Sequence, residues 1–191
     1  MEYPVRTRRW TRTEYERLAE AGVLYEDEPI ELIGGQLIVA EPKGSPHSTA
    51  VVLTADALRD AFGAGWLVRQ QDPIALDDES EPEPDIVVVP GQARDYVAAH
   101  PSRPILVIEI AESSLAFDRH HKGSVYARAG LADYWIVNLV DRTLEVYRRP
   151  TPDSAAEFGW RYFESEVLRG GALVSPLVRP DIAIAVASPL P

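Results

Sequence analysis

The sequence predicts an α+β domain, a mixed β-sheet with a helix on each face and extra hairpins at either end. Three observations carry this. Residues 86–89 form a short, wholly apolar run and residues 105–110 one that is apolar but for Glu109, the pattern of strands covered on both faces and therefore central in a sheet. They fall in the order helix, strand, strand, strand, helix, strand. Short links among the three strands favour antiparallel neighbours, and the second helix allows a crossover to the fourth. The chain's 191 residues, 46% hydrophobic and 26% charged, suit one domain with a real core and exclude wholesale disorder.

In chain order, residues 11–21 read as a short helix. Thr11 or Thr13 caps it, Glu14 and Glu16 occupy its first turns, and Gly22 stops it. Residues 30–33 and 36–39 are β-rich runs around Gly34-Gly35, a hairpin signal. Residues 45–62 form a helix with an apolar stripe of Leu53, Ala57, Leu58 and Ala61, ended by Gly63 and Gly65. Residues 66–71 and 74–76 read as strand, and 77–85 as a Pro-interrupted, solvated acidic loop. Residues 117–129 are a helix ended by Gly130. Residues 134–140 and 144–147 flank Asp141-Arg142-Thr143 as a second hairpin, and 160–167, 172–174 and 182–186 are weaker strands. The expected division is one domain over 1–191, with a core at about 45–140, an N-terminal helix and hairpin at 11–40, and C-terminal strands at 141–187.

Composition narrows the function classes. With no Cys, disulfide scaffolds, thiolate metal sites and Cys nucleophiles are excluded. No apolar run approaches the ~18 residues of a membrane span. Arg6, Arg8, Arg9 and Arg12 have no apolar segment behind them, so the start is not a secretory signal, and a cytoplasmic protein is expected. The formal charge of −11 argues against gripping nucleic acid by bulk charge alone, but not against doing so through a metal ion. Of 19 basic residues only Lys43 and Lys122 are lysines; a Lys retained against that bias invites a question.

Glu109 stands inside the most apolar strand, where a carboxylate requires either an Arg partner or a bound metal. Asp85 opens the preceding strand. Alone it reads as the tail of the acidic loop, but antiparallel pairing would bring it to Glu109 at one sheet edge. Two carboxylates there need a proton or a cation between them, and with hard oxygen donors that cation is Mg²⁺ or Mn²⁺. Lys122 shares a helical stripe with Val125, Tyr126 and Ala129, which turns it toward the sheet. It either pairs simply with Asp118, four residues earlier, or stands beside a metal-bound carboxylate pair. Glu31 is either a third acidic group or an exposed strand charge. His47, near a helix start, reads as a capping or surface residue with phosphate contact as the alternative. Gln70 and Gln71 are pocket lining at most, His120 and His121 surface residues, and Tyr134 and Trp135 core.

Pro84-Asp85 followed by Leu106-Val107-Ile108-Glu109-Ile110 resembles the PD-(D/E)XK nuclease signature. The longer set resembles the Uma-type restriction endonuclease family of bacteria: Glu83-Pro84-Asp85-Ile86, Glu109 through Ser114, Asp118-Arg119, Lys122, Tyr126 and Gly130 through Val137. Glu31 through Gly35 and His47 fit its N-terminal half. The strict signature has Lys where this chain has Ala111; in this family the Lys is displaced to the next helix, matching Lys122.

The resemblance implies a restriction-endonuclease-like fold and Mg²⁺- or Mn²⁺-dependent hydrolysis of phosphodiester bonds in DNA. Asp85 and Glu109 would hold the metal, Lys122 would act electrostatically, Glu31 would be a further acid, and His47, Gln71 and Asp118 would line the pocket. A homodimer would suit cleavage of two strands. Two other readings remain open: a nuclease fold without catalysis, serving as a nucleic-acid or protein interaction module, and a metal-dependent hydrolase of another substrate. DNA binding by the first reading needs Arg clusters such as Arg6/Arg8/Arg9 and Arg148/Arg149 to offset the acidic loop.

Overall fold

The computed structural model describes residues 7–24, 29–40 and 42–191; Arg6 lies outside them. Helix α1 (Arg12–Glu20) begins with a capping box. Thr11 Oγ1 accepts from the Glu14 N–H, and the Glu14 carboxylate accepts from the Thr11 N–H. Strands β1 (Ile30–Ile33) and β2 (Gln36–Val39) form the first hairpin. Its turn residues Gly34 and Gly35 have φ of +55° and +78°, which a two-residue turn matching strand twist requires. A Cβ on Gly34 would fall 2.1 Å from the Phe158 ring, so any other residue there would have to displace that ring as well as adopt a positive φ.

Helix α2 (Ser45–Phe62) leads into one six-stranded sheet of β3 (Trp66–Gln70), β4 (Ile86–Pro90), β5 (Leu106–Ala111), β6 (Asp133–Asn138), β7 (Thr143–Pro152) and β8 (Trp160–Arg169), in that spatial order. Only β5–β6 is parallel. The chain between them is helical: α3 (Leu115–Phe117), a π turn (Asp118–Lys122) and α4 (Gly123–Arg128). The short β9 (Leu173–Val174) and β10 (Ile184–Ala185) pair antiparallel. The predicted order of helices and strands, the antiparallel β3–β4–β5 run and the parallel crossover are all present.

Alternation along β5 divides the core. Leu106, Ile108 and Ile110 join α2, while Val107 and Ala111 join Val125 and Tyr126 of α4. Glu109 shares the parity of Val107 and Ala111. Strands β4, β5 and β6 are buried along nearly their whole length, as continuous apolar runs require.

Several expectations need correction. On α2 the buried positions are His47, Ala50, Val51, Thr54, Ala55, Leu58 and Phe62, whereas Leu53 is exposed; the helix's apolar residues are too many for one stripe to be read uniquely. Residues 74–76 are not a strand. They run extended, with Ile74 N–H donating to Pro82 O and Ala75 N–H to Pro101 O. The acidic loop is solvated only around Asp78 and its neighbours, not along its length. Ser80, Glu81 and Asp85 are buried because the loop is tied to the first hairpin: Gly35 N–H donates to Glu79 O, Glu81 N–H to Leu32 O, and Gly34 N–H to Ser80 Oγ. The helix expected at 117–129 starts at Leu115, contains the π turn and ends at Arg128, so that Ala129 is its exposed C-cap.

Candidate active site

Asp85 sits immediately before β4, and its buried carboxylate accepts from four groups. Ile110 N–H donates to Oδ2 at 2.9 Å and Gln71 Nε2 to Oδ1 at 3.4 Å. Lys43 Nζ is 3.0 Å from Oδ1 and His47 Nε2 is 3.0 Å from Oδ2. An ionised carboxylate only accepts, so Nε2 carries the His47 proton. Burial opposes ionisation of Asp85. The His47 hydrogen bond, the Lys43 ammonium and the Ile110 N–H outweigh it and hold the carboxyl well below the usual carboxylate range.

Glu109 Oε2 accepts from the Asp85 N–H at 3.4 Å, which ties the two acidic positions together across β4 and β5. Glu109 Oε1 accepts from the Tyr126 hydroxyl at 2.6 Å and lies 3.1 Å from Lys122 Nζ. Lys122 Nζ is equally 3.1 Å from Glu31 Oε1, and Glu31 Oε2 accepts from the Glu83 N–H at 3.0 Å. All these side chains are buried. Glu31 reaches the cluster because β1 is held to the acidic loop by the Leu32–Glu81 bridge.

The π turn aims Lys122. Asp118 O accepts from the Gly123 N–H, five residues on, and also from the Tyr134 hydroxyl. A Cβ at Gly123 would lie 3.2 Å from that same oxygen, so glycine leaves room for the wide turn. Such turns recur at functional sites. The Asp118 carboxylate is buried and accepts from Ser114 Oγ at 2.5 Å.

Two carboxylates, from Glu31 and Glu109, contact one buried ammonium, those of Asp85 and Asp118 act on it from further off, and Lys43 stands at the margin. Burial pushes the Glu109 and Asp118 carboxyls up, against the pull of the Lys122 ammonium beside them. Burial alone would discharge Lys122, but Glu109, Glu31, Asp118 and Asp85 more than restore its charge. Carboxylates outnumber cations, so a proton or an added cation completes the neutralisation.

Every candidate residue taken from the sequence therefore has a defined place. Asp85, Glu109, Lys122 and Glu31 meet directly; His47 and Gln71 bind Asp85, and His47 is buried rather than a surface residue. Asp118 flanks the cluster. Gln70 is elsewhere, accepting from Arg59. His120 is exposed, but His121 stacks on Phe117 and pairs with Glu157 at 2.7 Å. Sequence reasoning gave no contact to Lys43 or to the Tyr126 hydroxyl; the Lys scarcity was the one available signal for Lys43. The Arg clusters are engaged internally. Arg8 pairs with Glu14, Arg9 with Glu79, Arg148 with Asp133 and Arg149 with Glu164.

No helix among the described residues is long and apolar enough to cross a membrane. Among curated proteins none matches the chain. A solved structure described as a "putative nuclease belonging to DUF820", from Anabaena variabilis, superposes with a TM-score of 0.69 at 18% identity, over 97% of each chain. At that identity the likeness speaks for the fold, which is restriction-endonuclease-like. A family model described as "Uma2: Putative restriction endonuclease" matches residues 12–187. With nearly its whole length matched, the chain belongs to the Uma2 family of restriction endonuclease-like proteins.

Proposed function

We propose that this protein is a metal-dependent endonuclease that hydrolyses phosphodiester bonds in DNA, with Mg²⁺ or Mn²⁺ as its ion. The observation that carries the reading is the meeting of Asp85, Glu109 and Lys122 in one buried cluster drawn from the start of β4, from β5 and from the π turn. Buried charge of this kind is seldom worth more to stability than well-packed apolar residues, so its retention here supports a functional role.

The donor set fits a divalent ion. Mg²⁺ takes hard oxygens, often only one or two carboxylates, and keeps several waters; Asp85 and Glu109 offer such oxygens from adjacent strands, in a cluster with excess negative charge. Among the described residues no three His, Asp or Glu side chains converge as a ready-made cage, and a two-carboxylate site does not need one. When bound, the ion supplies a water of lowered pKa and a counter-charge for the phosphate.

The chain's own residues do the rest. Lys122, held charged between Glu109 and Glu31, is a poor base, so it stabilises phosphate charge and orients the attacking water. Tyr126 fixes Glu109, and His47, Gln71 and the Ile110 N–H fix Asp85. A two-fold homodimer would present two such sites to two strands.

A second reading, an interaction module that keeps the fold without catalysis, draws support from the internally paired arginines. Nicking of supercoiled plasmid decides between them. The proposal expects nicking with Mg²⁺, none with EDTA, and a fall of about 10²–10³-fold in Asp85→Asn, Glu109→Gln and Lys122→Met. Folded wild-type protein that leaves plasmid intact with both Mg²⁺ and Mn²⁺ would favour the module.

A further inference from the structure

We propose that Lys43 is a resident counter-cation of Asp85 that gives way to the divalent ion and then engages a substrate phosphate. This rests on the endonuclease reading and adds to it a second lysine with a different task from that of Lys122.

The four donors on Asp85 differ in their freedom to leave. The Ile110 N–H belongs to β5. The His47 side chain is 9% exposed on the first turn of α2. Gln71 is anchored beside Asp85 by its own N–H, which donates to Asp85 O at 3.1 Å. Lys43 precedes α2, and its side chain is 37% exposed. Gln71 is exposed as well but carries no charge, so Lys43 is the cationic donor that can depart without breaking a strand or stranding a buried polar group.

The charge type agrees with exchange. An ammonium on a flexible four-carbon stem is a compact, strongly hydrated point charge, while a guanidinium would clamp the carboxylate with its planar fork. This chain uses Arg almost throughout, and its two lysines both stand on the acidic cluster, at Asp85 and at Glu109. Lys122 has two carboxylate partners and is 7% exposed, so it stays in place. Among the described residues Lys43 has one carboxylate partner, Asp85, and its partly exposed side chain opens to solvent. Once displaced, its ammonium remains within reach of the mouth of the site, where phosphate is the natural anion.

The two roles predict effects of opposite sign, which a merely structural prop would not give. Mn²⁺ binding is measured by calorimetry on the full chain without nucleic acid, for wild type, Lys43→Met, Lys43→Arg and Asp85→Asn, with circular dichroism melts to verify folding. Removal of the competing cation should tighten Mn²⁺ binding by about tenfold in Lys43→Met, while plasmid nicking at saturating Mn²⁺ slows by about 10-fold or more. Lys43→Arg should bind Mn²⁺ more weakly than Lys43→Met. If Lys43→Met binds Mn²⁺ no more tightly than wild type while Asp85→Asn abolishes binding, the exchange is overturned and the endonuclease reading survives. Tighter Mn²⁺ binding with unchanged nicking overturns the phosphate contact. Wild-type protein that binds no Mn²⁺ overturns both this inference and the reading beneath it.

Discussion

Toward α2 the central strands present Ile86, Val88, Ile108, Ile110, Trp135 and Val137, met by Ala50, Val51, Ala55, Leu58 and Phe62. Toward α4 the same strands present Val87, Val107 and Ala111, but also Glu109, met by Tyr126 and by Lys122 of the π turn. The first face is ordinary hydrophobic burial. The second buries carboxylates, an ammonium and hydroxyls that apolar residues of the same size would replace at little or no cost. One face therefore carries stability, and the other spends some of it on holding charge in place.

Substitutions separate the two faces, beginning with the largest effect. Lys122→Met leaves Glu31, Glu109 and Asp118 buried without their cation. It should cost about 3–5 kcal/mol in urea unfolding and remove plasmid nicking. Leu58→Ala, wholly buried against the other face, should cost about 2–5 kcal/mol with Mg²⁺-dependent nicking retained in the folded fraction. If the two variants lost nicking equally at matched folded fraction, the division between the faces would be wrong. Tyr126→Phe removes the hydroxyl that donates to Glu109 at 2.6 Å. About 1–3 kcal/mol and a partial loss of nicking are expected, since Glu109 keeps Lys122.

The charged face also predicts a pH response. Burial pushes the Asp118 carboxyl up to about 6; burial, with Glu16 beside it, pushes Glu81 up to about 7. Both stand above their unfolded values, so the folded chain binds more protons there. Their stabilising contribution is complete below the ordinary carboxylate range and is lost as pH rises through 6 and 7. The denaturation midpoint of metal-free protein should fall between about pH 5 and 8. Asp118→Asn should flatten that slope, whereas Leu58→Ala should lower the whole curve without changing its shape. The smallest effect belongs to the surface. Arg149, stacked on Phe163 and paired with exposed Glu164, should tolerate Ala within about 1 kcal/mol and without change in DNA affinity, measured by fluorescence anisotropy.

The order of elements was legible because it rests on local signals: apolar runs for β4 and β5, Gly34-Gly35 for the hairpin, Thr11 and Glu14 for the cap of α1. The proximity of Asp85, Glu109 and Lys122 was legible from strand order and helical spacing. The π turn was not, since no residue type announces an extra residue in a turn, although Gly123 permits it. The burial of the acidic loop was hidden too. Its charges read as solvated, and only long-range bonds to β1 and the Gly34-Gly35 turn draw it inward. Lys43 was hidden for the same reason, because its partner lies 42 positions away and nothing local links them.

The central claim is that Asp85 and Glu109 share one divalent ion beside a fixed Lys122. Anomalous scattering from a crystal of the full chain soaked in Mn²⁺ tests it directly. One strong peak is expected within bonding distance of both carboxylates, with the Lys122 ammonium still between Glu109 and Glu31. A peak that avoids either carboxylate, or a well-ordered cluster that admits no Mn²⁺ at millimolar concentration, would contradict it.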